Sequence, residues 1–161
     1  MPSKFLSIFA IIIAFTLTSC GLIPTQASSA IESVNVDQSR LAIKGYDPVA
    51  YFTQAAPVEG LQQFTAEYNG AVYQFSSAEN QALFNGSRAQ YAPQYGGYCA
   101  FGVTQDKKYD IDANAWAVVD GKLYLNLNAG AQRVWNRDRV GNIETGNLNW
   151  LNIENKPVSE L

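Results

Sequence analysis

The sequence predicts a single small α+β domain in which two antiparallel β-hairpins pack with short α-helices. Two dipeptides, Asn69-Gly70 and Asp120-Gly121, each separate two runs rich in aromatic and β-branched residues. This is the strongest short-range signal for a hairpin, because both turn residues tolerate positive φ. A helical segment follows each hairpin. No strand–helix–strand unit and no internal repeat is evident in the 161 residues, so the pattern does not predict a parallel sheet.

The first hairpin is expected to join residues 64–68 to residues 71–75. Ser76 and Glu79 have the spacing of a capping box, in which each residue satisfies a backbone donor of the other. The helix that begins there is expected to run to about Asn85 and to stop at Gly86. The residues expected to face the core from this helix are Ala78, Ala82 and Leu83, with Phe84 nearby.

The second hairpin is expected to join residues 116–119 to residues 122–126. A helix over about 129–137 should follow it, and the stretch 140–152 should add a C-terminal helix. The large side chains expected to bury or anchor these two helices are Val134, Trp135 and Trp150.

Composition and charge exclude several function classes. The chain carries 11 basic and 14 acidic residues, a net charge of −3, and no basic run, so nucleic-acid binding through phosphate neutralisation is not expected. The absence of histidine excludes a Ser-His-Asp triad, a Cys-His dyad, and His-ligated zinc or haem. The two cysteines, Cys20 and Cys99, cannot form a CxxC pair or a four-cysteine metal site within one chain.

The N-terminal residues have the features of an export signal. Lys4 precedes an uncharged stretch over 5–17, which is too short to span a bilayer comfortably and has the length of a signal-peptide core. Leu17-Thr18-Ser19-Cys20 resembles a bacterial lipobox, which implies cleavage before Cys20 and lipidation of that residue. The alternative is cleavage after Ala27, with Cys20 as an ordinary residue.

The lipobox resemblance defines an expected organisation and location. The predicted segments are a lipoprotein signal peptide at 1–19, a flexible tether at 20–30, a folded domain at 31–155 and a C-terminal tail at 156–161. The protein is expected in the bacterial cell envelope, held to the membrane by its N-terminal lipid and facing the periplasm or the cell exterior. With Cys20 lipidated, Cys99 has no intramolecular disulfide partner.

The middle of the chain resembles a known domain family. The elements of the pattern are, in order, Asp47-Pro48-Val49, Tyr-x-Gly-x-x-Tyr-x-Phe-x-Ser over 68–77, Phe84, Tyr91, Tyr-Gly-Gly-Tyr-Cys-Ala over 95–100, and 116–124. The earlier elements resemble a YHS domain, and the longer pattern is similar to secreted bacterial YHS-domain proteins. The resemblance covers roughly Ile31 to Trp150.

The YHS resemblance implies two different chemistries. YHS domains attached to metal pumps bind transition metals through cysteines, and the corresponding positions here are Ala50, Ser76 and Asn80. The resemblance therefore leaves a bound transition metal as one alternative, although the cysteines that usually coordinate it are absent. No other cofactor is evident from the sequence. Some secreted relatives carry selenocysteine at the position of Cys99, so the resemblance favours Cys99 as the residue that does chemistry.

The residues themselves leave the role of Cys99 open. Gly96 and Gly97 permit a sharp bend and free backbone amides, and a helical turn over 100–103 would help to activate the thiol. Tyr95, Tyr98 and Phe101 could instead enclose the sulfur and make Cys99 an ordinary core residue. Asp47 is either a turn or helix-cap residue, or a proton acceptor facing Cys99.

The tyrosines admit the same two interpretations. They could line an aromatic pocket, or they could be core residues whose hydroxyls reach the rim. The residues proposed for ligand binding are Tyr46, Asp47, Tyr51, Tyr95, Gly97, Tyr98 and Cys99, with Cys99 also the candidate redox residue.

Two function classes follow from these observations. The first is a lipid-anchored binding or accessory protein that presents a site near Asp47 and Cys99 to a small ligand, a metal or an envelope protein partner. The second is a thiol-redox protein that acts through Cys99 alone. Whether the chain is an enzyme stays undecided at this point.

Overall fold

The computed structural model describes residues 32–161. The expected signal peptide, the whole expected tether and the expected lipidation site Cys20 lie outside the described residues. The α+β prediction is confirmed: two antiparallel two-stranded sheets pack with helices in one small domain. The elements are α1 (Ala50–Thr53), β1 (Leu61–Tyr68), β2 (Ala71–Phe75), α2 (Ala78–Gly86), α3 (Arg88–Tyr91), α4 (Ala100–Val103), β3 (Asp112–Val119), β4 (Lys122–Asn126), α5 (Ala129–Trp135) and α6 (Arg139–Ile153). None of the helices in this described part is long and apolar enough to cross a bilayer.

Both hairpins have the turns that their sequences predict. Asn69 and Gly70 have φ of 48° and 80°, and Asp120 and Gly121 have φ of 49° and 70°. Two successive residues with positive φ define the type I′ turn, whose twist matches that of the flanking strands. The turns close the β1–β2 and β3–β4 pairs, and each pair carries a bulge or irregularity towards its open end.

Two of the helix predictions are wrong in detail. The N-cap of α2 is Ser77, whose Oγ accepts the backbone N–H of Asn80 at 3.2 Å, whereas the Ser76 hydroxyl bonds elsewhere. The buried residues of α2 are Asn80 and Phe84. The predicted inner residues Ala78, Ala82 and Leu83 are exposed, because the Phe84 ring packs against the aromatic rings of β2 and turns that face inward.

The last two helices, α5 and α6, follow the prediction more closely. α5 ends at Trp135 and continues as a 3-10 turn over Asn136–Asp138. Trp135 is fully buried but Val134 is 37% exposed, since adjacent residues on a helix point in directions about 100° apart and only one of them faces the core. α6 forms as expected, and Trp150 packs against the core cluster that includes Tyr95, Tyr124 and Trp135.

The structure contains an internal repeat that the sequence did not reveal. Residues 43–45 and 95–97 each form a run of three positive-φ residues, and each run leads into a single helical turn, α1 or α4. A hairpin of an eight-residue and a five-residue strand follows, and then a helix. We refer to residues 43–86 as the first half and to residues 95–137 as the second half.

Side-chain contacts repeat as well. Gln81 donates from Nε2 to the carbonyl of Thr65, and Gln132 donates from Nε2 to the carbonyl of Trp116. Thr65 and Gln81 lie at the same positions relative to the turn glycine Gly70 as Trp116 and Gln132 do relative to Gly121. The helix caps Ser77 and Asn128 and the buried rings Phe84 and Trp135 also correspond. The two glutamines and the two turn glycines are identical, but the other pairs named here differ in residue type, and the sequence therefore shows no evident repeat.

The C-terminal residues belong to the packed domain. The sequence predicts a tail at 156–161, but Val158–Glu160 form a 3-10 turn and Leu161 packs against the same core cluster as Trp150. The Val158 N–H donates to Glu32 Oε2 at 3.2 Å, which joins the two ends of the described chain.

Candidate functional site

Asp47 is the centre of a buried hydrogen-bond network. Its side chain is completely shielded from solvent. Oδ1 accepts the backbone N–H of Val49 at 2.8 Å and that of Ala50 at 3.3 Å. Oδ2 accepts the Ser76 N–H at 2.8 Å, the Ser76 hydroxyl at 2.7 Å and Asn80 Nδ2 at 2.6 Å. The carboxylate therefore joins the α1 turn to the start of α2. All five hydrogen bonds that it accepts come from backbone and side-chain groups of this chain.

Cys99 lies in a similar enclosure, with 1% of its surface exposed. Its sulfur accepts the Gly102 N–H at 3.4 Å and the Leu127 N–H at 3.2 Å. The thiol lies 3.8 Å from Oδ1 of the buried Asn126, and the same oxygen accepts the Phe101 N–H at 3.2 Å. The Phe101 bond fixes the orientation of the Asn126 amide, whose Nδ2 has no partner within the described part of the chain.

Asp47 and Cys99 occupy corresponding positions in the two halves. The Asp47 N–H bonds to the Val58 carbonyl, and the Cys99 N–H bonds to the Tyr109 carbonyl. Each side chain accepts the N–H three residues ahead of it. Each also accepts an N–H from the residue before the following helix cap, Ser76 in one half and Leu127 in the other. Cys99 therefore does in the second half what Asp47 does in the first: it joins a helical turn to the end of a hairpin.

The expected open pocket beside Asp47 and Cys99 is not seen in residues 32–161. Both side chains are buried, and neither lines any of the clearest surface cavities of this part of the chain. The physical reason is the repeat itself, because each side chain faces the backbone donors that it ties together. Gly97, with φ of 80°, is also buried and lies close to the Pro93 ring.

Three of the candidate tyrosines point their hydroxyls at backbone carbonyls. The Tyr51 hydroxyl donates to Ala113, that of Tyr95 to Ile143, and that of Tyr98 to Glu32. Burial raises the pKa of Tyr51 and of Tyr95 well above the ordinary value, and it raises the pKa of Tyr98 to about 12. These phenols stay neutral at physiological pH and act as hydrogen-bond donors within the fold.

The residues at the YHS metal positions do not fit a soft transition metal. Ala50, Ser76 and Asn80 come together around the Asp47 carboxylate. Ala50 contributes only its backbone N–H, and the available oxygens are hard ligands already engaged in hydrogen bonds. Among residues 32–161 no three His, Cys, Asp or Glu side chains form a cluster that could hold a metal ion.

A charged cavity lies near another candidate, Tyr46. It is lined by Tyr46, Lys44 and Asp110, and it adjoins a second cavity of about 250 Å³ that also contains the lysine and the aspartate. The two charges contact each other at 2.7 Å. Burial alone would raise the pKa of Asp110, but hydrogen bonds from Lys44, Asn35 and the Ile111 N–H outweigh it and lower that pKa. Lys44 and Asp110 thus satisfy each other's charge without a ligand.

A larger groove runs between the first hairpin turn and α6. Two adjoining cavities of about 430 and 360 Å³ share Tyr68, Asn69, Ala92 and Pro93 as a common wall. The remaining aromatic and amide side chains that line them are Tyr73, Gln94, Tyr95, Asn147, Trp150 and Asn155. We call this feature the hairpin–helix groove. The lining mixes aromatic rings with amide and backbone polar groups, and polar surface predominates in the larger of the two cavities. Polar groups of this kind fix the orientation of a ligand in a small-molecule site.

Sequence reasoning found only part of this groove. Tyr95 is a candidate binding residue and Trp150 a predicted anchor, but the sequence predicts Tyr68 only as part of a hairpin strand. The available signal was the cluster of tyrosine and proline over 91–95, which faces the first hairpin turn in the structure. The packing of α6 beside that turn is a long-range contact that no local pattern encodes.

Comparison of the chain with models of protein families, with curated proteins and with solved structures found no match.

Proposed function

We propose that this chain is a lipid-anchored, extracytoplasmic YHS-like binding or accessory protein that holds a small ligand in the hairpin–helix groove. The lipobox-like segment ending at Cys20 supports the anchor, and the residue pattern over 47–124 supports the family assignment. The observation that carries the binding function is the groove, where aromatic rings and uncharged amides face a common space.

The lining chemistry favours an uncharged or cationic ligand. Glu154 is the one charged side chain that lines the groove within residues 32–161, and the amides of Asn69, Asn147 and Asn155 can both donate and accept hydrogen bonds. Tyr68 and Trp150 offer ring faces for apolar or cation–π contact. An anionic ligand would find no positive partner among these lining residues.

The groove is tested by filling it. Ala92 lies on the shared wall, so Ala92→Trp should block it, whereas Ala129→Trp places the same ring at an exposed site on α5. Wild type and both variants are purified from membranes in mild detergent and denatured, and the released small molecules are identified by mass spectrometry. We expect a stoichiometric compound from wild type and Ala129→Trp and none from Ala92→Trp. The same release from all three proteins would contradict the groove assignment.

The anchor is tested separately by cell fractionation. Replacing Cys20 by Ser should move the protein from the membrane fraction to the soluble fraction, because no acyl chain could then be attached. Intact mass of the wild-type protein should show a lipid-modified N-terminal cysteine. An unmodified N-terminus at Ser28 would contradict the lipoprotein assignment and favour cleavage after Ala27.

One observation favours the second candidate, a thiol-redox function. The Cys99 sulfur accepts two backbone N–H groups, so hydrogen-bond donors already face the atom that a redox function would use. Its 1% exposure opposes direct attack on a substrate in solution. We expect iodoacetamide at neutral pH to modify Cys99 only after unfolding in urea, as followed by mass spectrometry. Rapid alkylation of the folded protein would favour the redox function over the binding function.

A further inference from the structure

The outer face of α6 carries three large aliphatic side chains. Val140, Leu148 and Leu151 are 70%, 66% and 76% exposed, the highest values among the exposed large hydrophobic residues of the described part. Their spacing places them on one side of the helix, opposite the buried Gly146 and Ile153. Single exposed aliphatic residues are common on protein surfaces, but three on one face of one helix form a patch that a partner can cover.

The chain leaves the described domain beside the C-terminal end of this helix. The carbonyl of Glu32, the first described residue, accepts the Lys108 ammonium at 2.7 Å and the Tyr98 hydroxyl at 3.2 Å. The same ammonium donates to the Glu154 carbonyl at 2.9 Å, directly after α6. Glu32 is therefore fixed next to the end of the helix that carries Leu148 and Leu151.

The covalent distance from this point to the expected lipid is short. About a dozen residues separate Cys20 from Glu32, and even a fully extended chain of that length spans only about 40 Å. This is about the diameter of a domain of this size. A lipid on Cys20 therefore holds the domain close to the bilayer, and tethering raises the effective concentration of a second, weak membrane contact.

The charge on and beside the outer face is mixed, and its positive part lies at the start of α6. Of the charged residues in α6, only Glu144 lies on the outer face with the three aliphatic residues. Arg137 and Arg139 lie just before Val140 with the N-cap Asp138 between them; both arginines are exposed and form no ion pair within residues 32–161. Arginines beside an exposed apolar helix face are a typical arrangement for contact with anionic headgroups.

We propose that the outer face of α6 lies on the bilayer that holds the lipid anchor, with Val140, Leu148 and Leu151 at the acyl boundary and Arg137 and Arg139 at anionic headgroups. This inference rests on the lipid anchor of the proposed function. It goes beyond the anchor because it assigns the domain one orientation on the membrane. The hairpin–helix groove, whose rim includes Leu151, then opens next to the lipid surface.

The test uses the lipidated full-length protein in vesicles of phosphatidylethanolamine and phosphatidylglycerol. A bimane fluorophore is attached to Leu151→Cys in one sample and to Leu83→Cys in another, and quenching by lipids with a nitroxide on the acyl chain is measured. Leu83 lies on α2 and is 45% exposed, so it reports an apolar surface residue away from α6. Unsubstituted protein treated in parallel gives the background from Cys99. We expect roughly twofold or greater quenching at position 151 relative to position 83.

The outcomes separate the inference from the proposed function. Equal quenching at the two positions, stronger quenching at position 83, or none at position 151 in membrane-bound protein would overturn the docking of α6 and leave the anchor intact. If a protein partner or a second copy covered this face instead, membrane-bound protein would show no quenching at position 151. Protein that carries no lipid and stays in solution would overturn both proposals. Replacing phosphatidylglycerol by phosphatidylcholine should weaken quenching at position 151, and unchanged quenching would overturn the role of the two arginines.

Discussion

At the scale of single residues, the same structural task is done by an aspartate in one half and a cysteine in the other. Asp47 offers two oxygens and accepts five hydrogen bonds. Cys99 offers a single sulfur and accepts two, and the buried amide of Asn126 accepts the Phe101 N–H that the sulfur does not reach. This correspondence explains why both residues are buried and why neither lines a cavity.

Removing the Asp47 carboxylate should destabilise the domain strongly. Asp47→Ala leaves the N–H groups of Val49 and Ser76 and the amide of Asn80 buried without an acceptor, at a cost of about 3–5 kcal/mol. Asp37→Ala is the matched control, because Asp37 also accepts two backbone N–H groups but lies on the surface, where water can replace it. We expect that control to cost less than about 1 kcal/mol. Urea unfolding measures both, and equal midpoints for the two variants would contradict the structural role of Asp47.

At the scale of elements, the two hairpins depend on turn residues that accept positive φ. Gly70 has φ of 80°, and a Cβ added there would meet no atom within 4 Å. Any effect of a larger residue at this position is therefore a backbone effect. The tip of the first hairpin also forms one wall of the hairpin–helix groove through Tyr68 and Asn69.

Gly70→Val should lower stability by about 1–3 kcal/mol, because a β-branched residue is strained at positive φ. Gly86→Val is a close control: Gly86 also has open space around its Cβ position, but it lies in α2 without a positive φ. There we expect a change of about 0.5 kcal/mol or less. Thermal unfolding of both variants checks this, and a Gly70→Val protein that melts like wild type would remove the argument from turn strain.

The sequence could predict the elements whose causes are local. Asn-Gly and Asp-Gly set both hairpins, Cys99 stands before a helical turn, and the pattern over 140–152 predicts α6. It could not predict that Ser76 turns to Asp47 while Ser77 caps α2, because that choice depends on a partner far away in the sequence. The groove was missed for the same reason, since its walls come from distant parts of the chain.

At the scale of the whole molecule, one buried lysine joins the two ends of the domain. Lys108 donates from Nζ to the carbonyls of Glu32, Glu154 and Lys156 at 2.7, 2.9 and 2.7 Å. The ammonium also lies over the rings of Tyr98 and Trp150, at 5.3 and 5.4 Å from their centroids. Burial lowers the pKa of Lys108, and the nearby carboxyl groups of Glu32 and Glu154 oppose that shift. This lysine thus fixes where the chain enters the domain and where α6 ends.

Replacing Lys108 by Met should loosen both ends of the domain while leaving the hairpins folded. Methionine keeps the apolar stem but leaves three carbonyls without their donor and removes the cation–π contacts, at a cost of about 1–3 kcal/mol. Because those contacts hold only the chain ends, amide hydrogen exchange should accelerate around residues 32–35 and 154–161 more than in β1–β4. Lys107→Met is the control, since the neighbouring side chain makes no hydrogen bond or ion pair within the described residues. Uniformly faster exchange across the hairpins, or unchanged exchange at the chain ends, would show that Lys108 does not serve as the local clamp.

If the α6 face lies on the bilayer, the same substitution should also weaken the quenching at position 151, because the clamp sets the angle at which the tether meets the helix.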